Sequence, residues 1–168
     1  GKGRFLKKDA LMRGMPLKAH LTLEQEVLLG ALRADRVYDK PVRTLLARRG
    51  DWAALRHTAL EHGVLPLLYS RLKELEPGLL PQQEMAHLQE FFKAHSRRNL
   101  IMASELVKVL RLLKSVNIPA IPFKGPVLAV QAYGDVCLRQ FVDLDLMVRR
   151  DDIKKVSQIL AVHGYRLW

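Results

Sequence analysis

The chain has 168 residues, 49 % of them hydrophobic, which is enough to bury a core and too many for wholesale disorder. No apolar stretch is long enough to cross a bilayer, and the basic first residues lack the apolar run of a secretory signal. A soluble protein with no membrane partner is therefore expected. The single cysteine, Cys137, permits neither an internal disulfide nor a zinc pattern and fits a reducing, cytoplasmic setting, while the net charge of +11 attracts anions, nucleotides and nucleic acids among them.

Residues 1–20 read as a basic, flexible leader. Lys2, Arg4, Lys7, Lys8, Arg13 and Lys18 face one acid, Asp9, and Gly14 and Pro16 break any helix. Helices are expected over the next stretch, 21–116. Thr22 stands three residues before Gln25, the spacing of a capping box, and Leu23, Val27, Leu28, Ala31 and Leu32 then form one apolar stripe. A second helix is predicted over 41–49 with Gly50 as its stop. A third runs from Trp52 to about His62 behind an Asp51 cap, with Trp52, Leu55, Ala59 and Leu60 facing inward. A fourth covers 64–75, entered through Pro66, with Leu67, Leu68, Leu72 and Leu75 inward. Pro77, Gly78 and Pro81 mark a loop. A long helix follows over about 82–117, with a break expected near 97–99 and a clear apolar face in Leu106, Val109, Leu110 and Leu113.

The pattern changes at Ile118. Residues 118–123 are short, apolar and punctuated by Pro119 and Pro122, as in an edge strand. A helix over 125–133 is expected with Pro126 at its first position. Gly134 and Asp135 make a turn, and 141–148 reads as a strand. Asp151 is expected to cap a last helix through His163, ended by Gly164, and Tyr165 to Trp168 resembles the start of another strand. The expected fold class is α+β: a helical N-terminal bundle packed on a partial strand–helix–strand–helix core over 117–168.

One segment carries chemistry. Side chains alternate along the predicted 141–148 strand, which puts Asp143 and Asp145 on one face and Val142, Leu144, Leu146 and Val148 on the other. Two carboxylates side by side repel unless a cation lies between them, and carboxylate oxygens are what Mg²⁺ prefers beside phosphates and water. The bland alternative is a polar edge strand, or an ion pair with Arg139 or Arg149. Lys124-Gly125 sits at a strand-to-helix junction, where free amides and a glycine let a phosphate approach the backbone. Arg139, four residues before Asp143, can reach a phosphate or the aspartates themselves.

Taken in order, Ile121-Pro-Phe-Lys-Gly-Pro-Val-Leu-Ala129, Tyr133-Gly-Asp135, Leu138-Arg139, Asp143-Leu-Asp-Leu-Met-Val148 and Gly164-Tyr165 resemble the uncharacterised nucleotidyltransferase family. That family is a branch of the DNA polymerase beta-like nucleotidyltransferase superfamily. Upstream, Asp51-Trp52, Ala59, His62-Gly-Val-Leu-Pro-Leu-Leu68 and the helix around 99–113 are similar to its helical part. The resemblance implies that Asp143 and Asp145 hold Mg²⁺ or Mn²⁺ and that Lys124 and Gly125 occupy the triphosphate turn, with Arg139 beside them. An acceptor hydroxyl would attack the α-phosphate of an NTP and release pyrophosphate. The acceptor, whether protein, nucleic acid or small molecule, stays open.

Two departures qualify the likeness. Most of the superfamily has Gly-Ser in the turn where this chain has Lys-Gly, and Gly125 precedes Asp143 by 18 residues, a longer gap than usual. The third carboxylate that the superfamily adds from a later strand has no candidate before Trp168, which is the expectation for a fragment. Two rivals remain at this stage: a catalytically inactive nucleotidyltransferase-like binding module, and a basic nucleic-acid binder.

Overall fold

The computed structural model describes residues 21–33, 36–48, 50–75 and 78–166. The basic leader, the end of the second predicted helix at Arg49, Pro77 and the last two residues of the predicted terminal strand lie outside them. Seven α-helices and two strands follow in order among the described residues: α1 (Leu23–Ala31), α2 (Asp39–Leu46), α3 (Trp52–Glu61), α4 (Leu65–Leu75), α5 (Gln82–Ser115), β1 (Ala120–Phe123), α6 (Gly125–Tyr133), β2 (Asp145–Val148) and α7 (Ile153–Val162). Short 3-10 turns occupy Arg36–Tyr38, Val136–Leu138 and Arg150–Asp152. The fold is mostly helical with a small antiparallel sheet, consistent with α+β.

Local chemistry accounts for most boundaries. Thr22 and Gln25 close the capping box at the start of α1. Asp51 caps α3 by accepting from the Ala54 amide at 2.9 Å, and its own amide donates to a Glu24 carboxylate oxygen at 2.8 Å. That backbone bond holds the Glu24 carboxyl below its ordinary range. Helix α2 begins earlier than predicted, because a proline at its third position needs no amide partner in the first turn.

The helices α1 to α4 and the start of α5 enclose one apolar cluster, with Val27, Val42, Leu55, Leu65 and Leu68 almost fully buried. Two inward assignments shift. Leu60 is 44 % exposed, and α4 buries Leu65 and Tyr69 beside Leu68, Leu72 and Leu75, leaving Leu67 half-buried. The 34-residue α5 runs unbroken through 97–99. Asn99 does not compete for its own helix backbone; its side chain turns outward to a neighbouring loop. The far end of α5 joins a smaller cluster of Val109, Leu113, Ile118 and Val156.

Asn117 ends α5 with a left-handed residue (φ 58°), closed by bonds from Ile118 to Leu113 and from Asn117 to Lys114. This reversal sends the chain into β1. Strands β1 and β2 pair antiparallel with Ala120 opposite Val148 and Phe123 opposite Asp145. Ala120, Leu146 and Val148 turn toward the smaller cluster, while Ile121 and Met147 form an exposed pair on the other face.

Further expectations need correction. Strand β2 starts at Asp145, not Phe141, because β1 turns away after Phe123 and leaves 141–144 no ladder partner. Val142, expected on the core side, is 78 % exposed. Asp151 does not cap α7. The Arg150–Asp152 turn leads into the helix, its Asp152 amide bonding the Arg149 carbonyl at 3.0 Å, and no side chain caps the start. Tyr165 and Arg166 are not in a strand; Tyr165 packs on the smaller cluster and donates its hydroxyl to Glu105 on α5.

Candidate functional site

The register of the two strands decides what meets what. Phe123 is the last residue of β1 and faces Asp145, the first of β2. The next two residues, Lys124 and Gly125, therefore emerge alongside the segment that carries Asp143. A Cβ placed on Gly125 would stand 3.3 Å from the Asp143 carbonyl oxygen and 4.0 Å from Cδ2 of Phe141. Gly125 also has φ +41°, a conformation that side chains rarely adopt. The positive φ favours glycine there and the space for a side chain is tight, because the turn lies close to the backbone of the first aspartate.

Lys124 adopts φ 54°, ψ −148°. A non-glycine residue so far from the common regions stores of order 1–3 kcal/mol, which clusters at functional turns. Its exposed ammonium lies 5.3 Å from the Phe123 ring centroid. The helix α6 starts at once, and the Lys124 carbonyl takes the first helical bond, from Leu128 at 3.0 Å. Pro126 has no amide, so the donors that this helix end offers to an anion are those of Gly125 and Val127.

Asp145 is half-buried and Asp143 exposed. The alternation argument applies to Asp145 but stops short of Asp143, which lies outside the ladder. Among the described residues, neither carboxylate is engaged by a hydrogen bond or ion pair, so the bland alternative of a pair with Arg139 or Arg149 is not what the structure contains. Arg139 is half-buried on the loop before Asp143; its main-chain carbonyl is held, but no contact joins its guanidinium to the aspartates. Also among the described residues, no group of three His, Cys, Asp or Glu side chains is placed to hold a metal.

One feature escaped the reading of the sequence. His95, Arg98 and Asn99 form one turn of α5 that grips the loop leading to Asp143. Asn99, fully buried, donates through Nδ2 to the carbonyls of Val136 and Arg139, each at 2.8 Å. The nearby Nε2 of His95 lies 3.1 Å from the same nitrogen. Arg98 donates to the carbonyl of Phe141. Burial holds the His95 imidazole below its ordinary range, the Cys137 carbonyl partly offsets this, and the Arg98 charge adds to it. The signal was present in the sequence: His95 and Asn99 fall at the core spacing set by Leu88, Leu106 and Leu113, where polar residues are rare.

Other candidates stay outside the site. His57 pairs with Glu61 at the surface, and His163 sits at the end of α7 with Nδ1 2.8 Å from the Ile159 carbonyl. Burial raises the Cys137 thiol above its ordinary range, which disfavours a thiolate nucleophile.

The family model described as Uncharacterised nucleotidyltransferase matches residues 48–168. No curated protein and no solved structure matches the chain. No described helix is long and apolar enough to cross a membrane.

Proposed function

The chain belongs to the uncharacterised nucleotidyltransferase family, and from that premise we propose that it transfers a nucleoside monophosphate from an NTP to an acceptor hydroxyl. The observation that carries this reading is the register of β1 on β2, which sets the Lys124-Gly125 turn against the Asp143–Asp145 segment. A phosphate-binding turn and an acidic pair are useful to each other only when adjacent.

The donor set fits a divalent cation. Mg²⁺ is commonly bound by one or two carboxylates and completed by substrate phosphates and water, and the two aspartates have no competing cation among the described residues. Asp143 and Asp145 would hold Mg²⁺ or Mn²⁺. When bound, such an ion neutralises charge on phosphate oxygens. The amides of Gly125 and Val127 and the Lys124 ammonium would bind the triphosphate, with Arg139 available from the adjoining loop. The acceptor oxygen forms its bond to the α-phosphorus, the bond to the bridging oxygen breaks, and pyrophosphate leaves with that electron pair. The hydroxyl proton passes to solvent or to a free aspartate oxygen.

Thermal shift with each NTP, with and without Mg²⁺ or Mn²⁺, tests this on the chain and on Asp143→Asn/Asp145→Asn. A ligand at a hundredfold excess over its dissociation constant stabilises the folded state by about 2.7 kcal/mol. The expected result is a metal-dependent shift with at least one NTP, lost in the double variant. A shift that survives in the variant would move the nucleotide elsewhere. Absence of any shift, in this chain and in a version extended past Trp168, would favour a nucleotidyltransferase-like binding module.

A further inference from the structure

Strand pairing fixes Asp145 but not Asp143. Something else must place the first carboxylate if the two are to share a cation, since a binding constellation has to be held to within about half an ångström. The segment 139–144 has no helix or strand of its own. What it has is a set of carbonyls held from outside.

The holding groups all come from one turn of α5. Asn99 is 0 % exposed on a helix face whose other buried positions are mainly leucine and valine. An amide buried there is unfavourable unless its hydrogen bonds are made. Both of its N–H groups are directed at the loop, to Val136 and Arg139, while its buried Oδ1 has no hydrogen-bond partner among the described residues. His95 packs beneath it, its ring stacked on Phe91 with centroids 5.8 Å apart. Arg98, one residue before Asn99, binds the Phe141 carbonyl. Phe141 is itself 5 % exposed, and a Cβ on Gly125 would stand 4.0 Å from Cδ2 of its ring and 3.3 Å from the Asp143 carbonyl oxygen. The turn of α5 thus holds the loop by its carbonyls as far as Phe141, beside the close approach of Gly125 to the Asp143 backbone.

We propose that Asn99 and Arg98 are positioning residues for the cation site, setting Asp143 against Asp145 and Gly125 without touching substrate. The proposal rests on the reading that the two aspartates bind a divalent cation. It carries a distinctive sign. Arg98 is a cation, so its removal on electrostatic grounds alone would strengthen binding of a second cation nearby. If Arg98 acts by holding the Phe141 carbonyl, its removal weakens binding.

Mn²⁺ titration of the full chain, by calorimetry or by the electron paramagnetic resonance of free Mn²⁺, tests this without needing an acceptor. The variants are Arg98→Met, Arg98→Lys, Asn99→Leu and Asp143→Asn/Asp145→Asn. Arg98 is at the surface, so Arg98→Met leaves the core intact even if Asn99→Leu fails to fold. Loss of a supporting partner around metal ligands typically weakens affinity 10–100-fold, and Arg98→Met is expected to weaken Mn²⁺ about tenfold, with part of the loss restored in Arg98→Lys. Unchanged or tighter binding in Arg98→Met, even with a lower Tm, would overturn the positioning role while leaving the aspartate site standing. Wild-type Mn²⁺ binding that is absent, or indifferent to the double aspartate variant, would overturn the site itself and this proposal with it.

Discussion

The two ends of α5 are buried in unlike surroundings. Near its start, the side chains of four preceding helices close around Leu55, Leu65 and Leu68, which are at most 1 % exposed. Near its end, the cluster of Val109, Leu113, Ile118 and Val156 is ringed mostly by partly buried residues, and Ile121 and Met147 on the sheet stay half or more exposed. The first region is organised to be stable. The second keeps a sheet face and a strained turn open to solvent, as a binding site requires, and takes part of its order from the helix it shares with the first. Stability and the candidate chemistry are thus separated along one helix.

The sharpest way to break this comparison is Leu68→Ala. Leu68 is 0 % exposed within the larger cluster, and truncating such a leucine costs about 2–5 kcal/mol. Against a typical total of 5–15 kcal/mol, the loss should be plain in urea denaturation. Val156→Ala tests the other end. Val156 is 9 % exposed against the sheet, and two buried methyl groups are worth roughly 1–2 kcal/mol at about 0.8 kcal/mol each. An equal or larger loss at Val156 would show that the smaller cluster carries the stability, and the division drawn above would fail.

The sequence was most legible where a short-range rule acts alone. The Thr22–Gln25 capping box, the Asp51 cap, the bounds of α6 and the Gly164 stop each depend on a few neighbouring residues. It was less legible where a partner decides. The strand pattern of 141–148 is genuine in its alternation, yet only Asp145–Val148 pairs, because β1 ends at Phe123. The sequence suggests a break near 97–99, whereas α5 is continuous there and Asn99 bonds the loop, which no pattern within α5 alone can reveal. The candidate site divides in the same way. The acidic pair and the Lys-Gly turn were visible as motifs, and their adjacency required the register. The charge of Arg139 suggests a phosphate ligand, while its main-chain carbonyl is the atom with a described partner.

The smallest expected effect is a pH dependence that separates the clamp from the rest of the molecule. His95 is buried, and its folded-state pKa lies below the ordinary value of 6.5. The unfolded chain therefore takes up a proton on acidification before the folded chain does. The sign follows by linkage: the contribution of His95 is fully present above about pH 6.5 and is lost as the pH falls through its lower folded value. The Glu24 and Glu105 carboxyls, both lowered from 4.5, lose their contributions only below that value, so they leave the interval from pH 7 to 5 largely clear. In that interval the wild-type Tm should decline modestly, and His95→Gln, which keeps a polar side chain beside Asn99, should flatten the decline. Equal slopes for the two proteins would mean that protonation at the clamp is not felt by the fold. A flattened slope would show that the turn of α5 under the loop is where this protein is sensitive to mild acid, in the region of lesser burial and close to the segment that carries Asp143.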